Sequence, residues 1–398
     1  MTRALNILQI VPSISLVYGG PSQMVRGLSS ALARQDARVT VLTTDSNGDE
    51  GQAPLDVPLN QPVETDGYRT LYFRCAPFRR YKFSLPLLQW LSRHGKDYDI
   101  AHIHALFSPV TSVAATVARS QKLPYILRPL GTLDPADLAK KKQVKRLYAT
   151  LLERPNLKGA AALHFTSQQE ATVSERFGVN TQDIVLPLGV ALPEFTDSEA
   201  DAQRHIRQRY GIPDGVPVVL FMSRIDPKKG LDLLLPALES LRHSGKPFHL
   251  IVSGANPQDQ GYVNQIQQRI ETSVLKECTT LTGFVSGGLK AQILQAADLF
   301  VLPSYYENFG IAVAEAMMAG KPVVISDQVH IWCDIKTSHS GWVTQCDQTA
   351  LALALTEALH NPADRRQRGE NGRLFAQVNY GWDAIAARMI DTYRQLLA

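Results

Sequence analysis

The sequence contains few cysteines. Only four occur in 398 residues, and no two of them form a C-x-x-C pair. This spacing argues against both a disulfide framework and a zinc ribbon. We therefore expect a protein of a reducing compartment, the cytoplasm.

Long hydrophobic runs are also absent. No uninterrupted apolar segment approaches the roughly 18 residues that a membrane-spanning helix needs. The first twenty residues are mostly apolar, but Asn6, Gln9 and Pro12 interrupt them and no small-residue cleavage site follows before Gly19. We predict a first strand there rather than a signal peptide, and we expect any contact with the inner face of the plasma membrane to be peripheral.

A strong charge imbalance is missing as well. Forty-one basic and 37 acidic residues leave a net charge of +4, whereas nucleic-acid-binding proteins derive their affinity from a basic stripe that releases counterions. Nucleic acid is therefore excluded as a partner, and only two local basic clusters, residues 79–83 and 140–148, need explanation. Such runs are usually solvated helix faces; the alternative is contact with an anionic membrane or a polyprenyl-diphosphate acceptor.

What the sequence does contain is a regular alternation of short β-branched runs with segments of helical period. This pattern is typical of α/β domains with a doubly wound parallel sheet, and the length predicts two of them, facing each other across a cleft. We place these Rossmann-like domains at residues 1–190 and 191–380, and expect a C-terminal helix, 381–398, to pack back on the first. The predicted strands are 6–11, 38–43, 99–104, 124–128, 162–167 and 184–187, then 217–223, 248–253, 280–283, 299–303, 323–326 and 341–344.

The most informative segment, residues 297–326, reads as strand, loop, helix and strand. The helix is predicted over about residues 311–319, because Gly320 can adopt a left-handed cap and Pro322 prevents continuation. Residues 307–310 therefore form a loop at the amino end of a helix, above a parallel strand. Unpaired N–H groups and the positive end of the helix dipole predict an anion site there.

Two glutamates frame this predicted site. Glu315 lies on a helix whose other residues are apolar, so its carboxylate needs a partner, either ligand hydroxyls or a Lys or Arg of the same domain. Glu307 lies eight residues earlier, in the loop, and is expected to point toward whatever the helix terminus holds.

The pattern Ser-x-x-Glu-Asn-Phe-Gly-Ile-x-x-x-Glu-Ala-Met-x-x-Gly-Lys-Pro-Val-Val, residues 304–324, resembles the E-x7-E motif of the group 1 (family 4) glycosyltransferases. The resemblance implies the GT-B fold, a nucleotide-sugar donor held mainly by the second domain, transfer with retention of anomeric configuration, and no metal or other cofactor. It assigns Glu307 to the donor sugar's hydroxyls as a catalytic residue and Glu315 to the nucleotide ribose. The backbone near sugar and phosphate is that of Asn308, Phe309 and Gly310.

Cations are predicted on the loop after the first strand of the second domain. A leaving nucleoside diphosphate gains negative charge, and Arg224 and Lys229 can hold its phosphates in complementary ways. Their segment is similar to the family's G-R-x-x-x-x-K-G element, with Ser223 in place of the usual glycine. We expect these cations and the two glutamates to converge on one hollow; a solvated charged turn is the alternative.

Weaker signals come from small residues that follow other strands. By similarity, Gly254 and Val285 contribute to the nucleotide pocket, the latter near the base. Gly19 and Gly20 resemble the family's amino-terminal Gly-Gly loop, which reaches toward donor phosphate and acceptor. They do not form the G-x-G-x-x-G fingerprint of nicotinamide-binding proteins.

Polar residues of the first domain are candidates for the acceptor side. His102 and His104 share one face of a strand; His102 is predicted to be structural, and His104, at the strand end, to face the cleft. Arg128 lies near a position where many relatives carry a histidine and this sequence has Leu130. We therefore take His104 and Arg128 as the catalytic candidates on this side.

The resemblance thus predicts an enzyme that moves a sugar from a nucleoside diphosphate to a hydroxyl of a glycan or polyprenyl-linked acceptor. Bacterial surface or exopolysaccharide synthesis is expected by analogy. Two alternatives remain open: a nucleotide-sugar-binding subunit without catalysis, which Leu130 favours, and a sugar-nucleotide epimerase on the same fold.

Overall fold

The computed structural model describes residues 3–49, 52–77, 82–139, 142–191 and 198–398. The chain forms two compact units, Met1–Gly189 with Trp382–Ala398, and Val190–Gly381. Both are α/β domains built on a largely parallel sheet, as predicted. Residues 79–81 and 140–141, which belong to the two basic clusters, lie outside the described part of the chain.

Within the described residues, the sheet of the first unit has eight strands in the order β3-β4-β2-β1-β5-β6-β7-β8, and only β3 runs antiparallel to its neighbour. Its central strands are buried along almost their whole length, because helices cover both faces of such a sheet. The strands are β1 Asn6–Ile10, β2 Arg38–Thr44, β3 Pro62–Thr65, β4 Tyr68–Phe73, β5 Ile100–His104, β6 Tyr125–Arg128, β7 Ala162–Phe165 and β8 Asp183–Val185.

The edge hairpin β3–β4 was not predicted from the sequence. Its strands carry charged residues such as Glu64 and Arg69 and lack the buried apolar run that marks the inner strands. The signal that could have found it is Asp66-Gly67, whose φ angles of 48° and 83° form the hairpin turn.

Eight α-helices of the first unit are described, the last of them contributed by the end of the chain. They are α1 Gly20–Ala33, α2 Leu85–His94, α3 Pro109–Ser120, α4 Pro135–Leu138, α5 Lys142–Tyr148, α6 Arg154–Gly159, α7 Gln168–Val173 and α16 Trp382–Leu397. Helix α16 packs against α1, and Arg34 of α1 pairs with Asp383 of α16 at 2.7 Å.

The described part of the second unit has six strands, all parallel, in the order β11-β10-β9-β12-β13-β14. The strands are β9 Val218–Met222, β10 His249–Ser253, β11 Thr279–Gly283, β12 Leu299–Leu302, β13 Val323–Ser326 and β14 Gly341–Thr344. Each matches a predicted strand. The helices are α8 Glu199–Tyr210, α9 Leu231–His243, α10 Gln260–Glu271, α11 Gly287–Ala296, α12 Ile311–Met318, α13 Trp332–Thr337, α14 Gln348–His360 and α15 Pro362–Tyr380. No helix of the described residues is long and apolar enough to cross a membrane.

A buried polar network holds α16 to the first sheet. The hydroxyl of Tyr393 lies 2.8 Å from Nδ1 of His102 and 3.3 Å from Nε2 of Gln9. His104 bonds the same Gln9 side chain at 2.6 Å, and His164 lies 3.2 Å from His102. Burial lowers the pKa of all three histidines well below the usual value, so the network is built from neutral rings.

The free energy of unfolding is therefore expected to fall as the pH drops below about 6.5, the usual histidine pKa. Below that pH the unfolded chain binds protons that the buried rings exclude. Each ring favours unfolding by up to about 1.4 kcal/mol per pH unit. Urea unfolding at pH 7.5 and at pH 5.5 measures how steeply the free energy of unfolding changes with pH. These two values lie about one unit above and one unit below the ordinary histidine pKa.

The variant His164→Gln removes one of these buried rings. The slope of the unfolding free energy against pH is expected to fall by the contribution of about one proton, up to about 1.4 kcal/mol per pH unit. His243→Gln, at an exposed histidine on α9, is the matched control for the substitution. An equal slope in both variants would contradict the role assigned to the network.

Candidate functional site

The reversal of strand order in the second sheet brings the carboxyl ends of β9 and β12 side by side. The two strands pair directly, with Leu220 opposite Phe300. The connections that leave such a pair diverge to opposite faces of the sheet, and ligands of doubly wound domains bind at this switch point. The loop after β9 carries Arg224 and Lys229, and the loop after β12 carries residues 307–310.

Lys229 and Glu307 meet at this point. The ammonium group of Lys229 donates a hydrogen bond to Oε2 of Glu307, and the two side chains are 12% and 23% exposed. The backbone of Glu307 is fixed by the loop after β13, since its N–H donates to Gln328 O at 3.1 Å and its carbonyl accepts from His330 N at 3.0 Å. Loops from three strands thus hold one carboxylate beside one ammonium group.

Glu315 has a different partner from the one that the resemblance implies. Its Oε1 lies 2.6 Å from Nζ of Lys290 on α11, and its side chain is only 16% exposed. This is the alternative that the sequence left open, a cation of the same domain. A carboxylate has further acceptor capacity, so the ion pair leaves room for a ligand hydroxyl.

The amino end of α12 is open to an anion. Gly310 occupies the position before the helix with a φ of 84°, in the left-handed region that favours glycine, and no side chain of the described residues caps this end. The first N–H groups of the helix and the positive end of its dipole therefore face outward from the helix. Phe309 is buried against Tyr380, with ring centroids 5.3 Å apart, and this contact anchors the loop. Only the backbone of Phe309 is therefore available to a ligand. Asn308 is half-buried.

The other predicted donor residues surround the ends of β9 to β11. Arg224 is exposed and forms no ion pair within the described residues. A Cβ at Gly254 would lie 1.8 Å from the carbonyl oxygen of Ser223, so only glycine permits the loops after β9 and β10 to touch. Val285 is buried, whereas the neighbouring ring of Phe284 is 77% exposed. The prediction named Val285; Phe284 is the side chain that a ligand could contact.

In the first unit, Gly19 and Gly20 lie where a short 3-10 turn, Leu16–Tyr18, passes into α1. No atom of the described residues lies within 4 Å of a Cβ built on Gly19, so this loop is open. The turn is tied to the loop after β2, because the Tyr18 hydroxyl lies 2.9 Å from Oγ of Ser46.

The expectation that His104 faces open space is wrong in this structure. His104 has no exposed surface and Arg128 is 1% exposed. Nη1 of Arg128 donates to Sδ of Met24 at 2.8 Å, and burial lowers the pKa of its guanidinium to about 10. Helices α1 and α16 supply Met24 and Tyr393 to this region and cover these strand ends. Neither candidate can touch a substrate in this arrangement.

Comparison with known proteins identifies the family of the chain. Residues 19–189 match the family described as "Glycosyl transferase 4-like domain", and residues 202–375 match "Glycosyl transferases group 1". The chain is 28% identical over 394 residues to a D-inositol 3-phosphate glycosyltransferase of Xylanimonas cellulosilytica, covering 95% of this chain and 92% of the relative.

Solved structures show the same fold. A sucrose-phosphate synthase from Thermosynechococcus elongatus has a TM-score of 0.78 and 25% identity, with 99% of each chain covered. The HepE protein of Anabaena, in complex with UDP and glucose, has a TM-score of 0.72 and 19% identity, covering 98% of this chain and 99% of that one. The two family matches together take in most of the chain, and we conclude that it is an enzyme of the group 1 glycosyltransferases with the GT-B fold.

Proposed function

We propose that this enzyme transfers a sugar from a nucleoside diphosphate sugar to a hydroxyl group of a glycan or lipid-linked acceptor, with retention of anomeric configuration. The observation that carries the proposal is the meeting of Lys229 and Glu307 at the switch point of the second sheet, beside the uncapped amino end of α12.

The proposed reaction requires positive charge near the departing diphosphate. As the bond from the sugar's anomeric carbon to the phosphate oxygen breaks, Lys229, Arg224 and the N–H groups of α12 stabilise the negative charge that develops on the phosphate. The acceptor hydroxyl attacks the anomeric carbon from the same face. Its proton passes to the departing phosphate oxygen, which balances the reaction.

The two glutamates would then bind different parts of the donor. An ammonium group has three N–H donors, so Lys229 can keep its bond to Glu307 while it contacts a phosphate. This fixes the Glu307 carboxylate, which would accept hydrogen bonds from the sugar hydroxyls. Glu315, held by Lys290, would accept from the ribose, and the exposed ring of Phe284 offers a face on which the base can stack.

The acceptor class has two candidates. The resemblance in the sequence predicts a growing glycan or a lipid-linked saccharide of polysaccharide biosynthesis. The names of the relatives point instead to small phosphorylated acceptors or products, an inositol 3-phosphate in one and a sucrose phosphate in the other. Supplying each class with the same donor and measuring which one gains a sugar decides between them.

A screen of uridine, guanosine and adenosine diphosphate sugars identifies the donor. One of them is expected to raise the melting temperature, because a ligand at about 100 times its Kd stabilises the folded state by about 2.7 kcal/mol. The same donor should be hydrolysed slowly without acceptor. Stabilisation without any released diphosphate would indicate a binding subunit, and a changed sugar still attached to the nucleotide would indicate an epimerase.

Variants at the ion pair separate its two roles. Lys229→Ala removes a charged hydrogen bond worth about 1.5–3 kcal/mol, so the Kd for nucleoside diphosphate should rise roughly 10- to 100-fold in titration calorimetry. Glu307→Gln should bind the nucleotide nearly as well but lower kcat by roughly a hundredfold or more. Lys228→Ala, at the exposed neighbouring lysine, is the control; turnover like that of the unmodified enzyme in all three would contradict the assignment.

Phe284→Ser tests the base-stacking role. Stacking of a base on an aromatic ring is worth about 1–3 kcal/mol, so the Kd for the whole nucleotide should rise about tenfold or more. Binding of inorganic pyrophosphate, which has no base, should not change. Val274→Ser, at another exposed apolar residue of the unit, serves as the control, and equal loss for nucleotide and pyrophosphate would count against stacking.

A further inference from the structure

A continuous helical segment of the first unit takes no part in the chemistry proposed above. It runs from Lys142 to Gly159 through α5, a π-helical turn at Ala149–Glu153, and α6. Three large apolar side chains project from it: Val144 is 68%, Leu147 63% and Leu151 65% exposed. Their spacing of three and four residues places them along one side of the helix.

The exposed charges on this segment are all positive. Arg146, Arg154 and Lys158 are exposed, and none of them forms an ion pair within the described part of the chain. The one acidic residue of the segment, Glu153, is 1% exposed and points inward. Its Oε1 accepts hydrogen bonds from the Phe107 N–H at 2.6 Å and from Oγ of Ser112 at 2.7 Å.

A hollow of about 610 Å³ lies beside this face. Arg146 and Arg154 line it together with the apolar side chains of Leu138 and Phe177. Glu175 also lines it, but its Oε1 already accepts a hydrogen bond from the Phe177 N–H at 2.6 Å. The hollow therefore combines the exposed carboxylate of Glu175 and apolar walls with two guanidinium groups that form no ion pair within the described residues. Its cations outnumber its free carboxylate, which suits a phosphate that carries a hydrocarbon chain.

We propose that this basic apolar face, Val144, Leu147 and Leu151 with Arg146, Arg154 and Lys158, docks the enzyme on a lipid bilayer that contains anionic phospholipids. Apolar side chains of such a surface helix insert at the boundary between headgroups and acyl chains, and the cations bind headgroup phosphates. Isolated exposed apolar side chains need no explanation, but here Val144, Leu147 and Leu151 lie in line among cations, and the described side chains of residues 142–159 include no exposed carboxylate.

Charge complementarity favours the bilayer over a second copy of the chain. In a two-fold contact each copy presents the same patch, so the cations of this face would oppose one another. An anionic bilayer accepts the cations and the apolar side chains together. The inference shares no residue with the site in the second unit, so it stands or fails independently of the donor chemistry.

Co-sedimentation of the full chain with vesicles tests the proposal. We expect the chain to bind phosphatidylglycerol vesicles and to bind vesicles of phosphatidylcholine alone much more weakly. Binding to phosphatidylglycerol should be lost as the salt concentration is raised. The triple variant Val144→Ser, Leu147→Ser, Leu151→Ser and the double variant Arg146→Gln, Arg154→Gln should each weaken binding about tenfold or more.

The matched control replaces three exposed apolar side chains of the second unit, Leu353→Ser, Leu374→Ser and Val378→Ser, and should bind like the unmodified chain. Donor hydrolysis in the absence of vesicles should be unchanged in every variant, which also shows that each has folded. The proposal is overturned if the unmodified chain does not bind phosphatidylglycerol vesicles, or if the triple variant binds them as well as the control does. It is also overturned if the triple variant alters only self-association in sedimentation velocity, because the face would then be a contact between copies.

Discussion

The ion pair between Lys229 and Glu307 exists because the strand order of the second sheet reverses between β9 and β12. A doubly wound sheet must cover both faces with helices, so the chain leaves these two adjacent strands in opposite directions. The space that this divergence opens is lined by loops rather than by core side chains. Charged groups can therefore approach each other there without being fully desolvated, and a carboxylate and an ammonium group remain available to a ligand.

The first unit also has a doubly wound sheet, but the polar residues predicted for its site lie at buried strand ends. His104 and Arg128 end two adjacent strands, yet both are buried beneath residues of α1 and α16. Removing these polar groups from water costs free energy unless they are hydrogen-bonded. Tyr393 and Gln9 bond Nδ1 of His102 and Nε2 of His104, whereas Nδ1 of His104 and two nitrogens of Arg128 have no hydrogen-bond partner among the described residues. The ends of β5 and β6 therefore form an internal structural junction, whereas the switch point between β9 and β12 carries loops with partly exposed charged groups.

These differences mark what the sequence alone could predict. The inner strands were predictable because a buried parallel strand is a continuous apolar run, as in Val218–Met222, whereas the half-exposed hairpin at Pro62–Phe73 has no such run. The loops that carry Glu307 and Lys229 were identified through a family resemblance. Their contact spans 78 positions, and no periodicity encodes it. The burial of His104 was not predictable from its own segment, because its ring bonds Gln9, 95 positions away, and Gln9 in turn donates to Tyr393 of α16.

Helix α16 belongs to the first unit although the whole second unit precedes it in the chain. During synthesis, residues 190–381 emerge as one uninterrupted stretch and can fold while the amino-terminal sheet still lacks a covering helix. Until residues 382–398 arrive, Gln9 and His102 have no Tyr393 to bond. The first unit is therefore synthesised first but completes its fold last. A ribosome that stalls after residue 381 leaves a chain whose second unit can fold and whose first unit lacks helix α16.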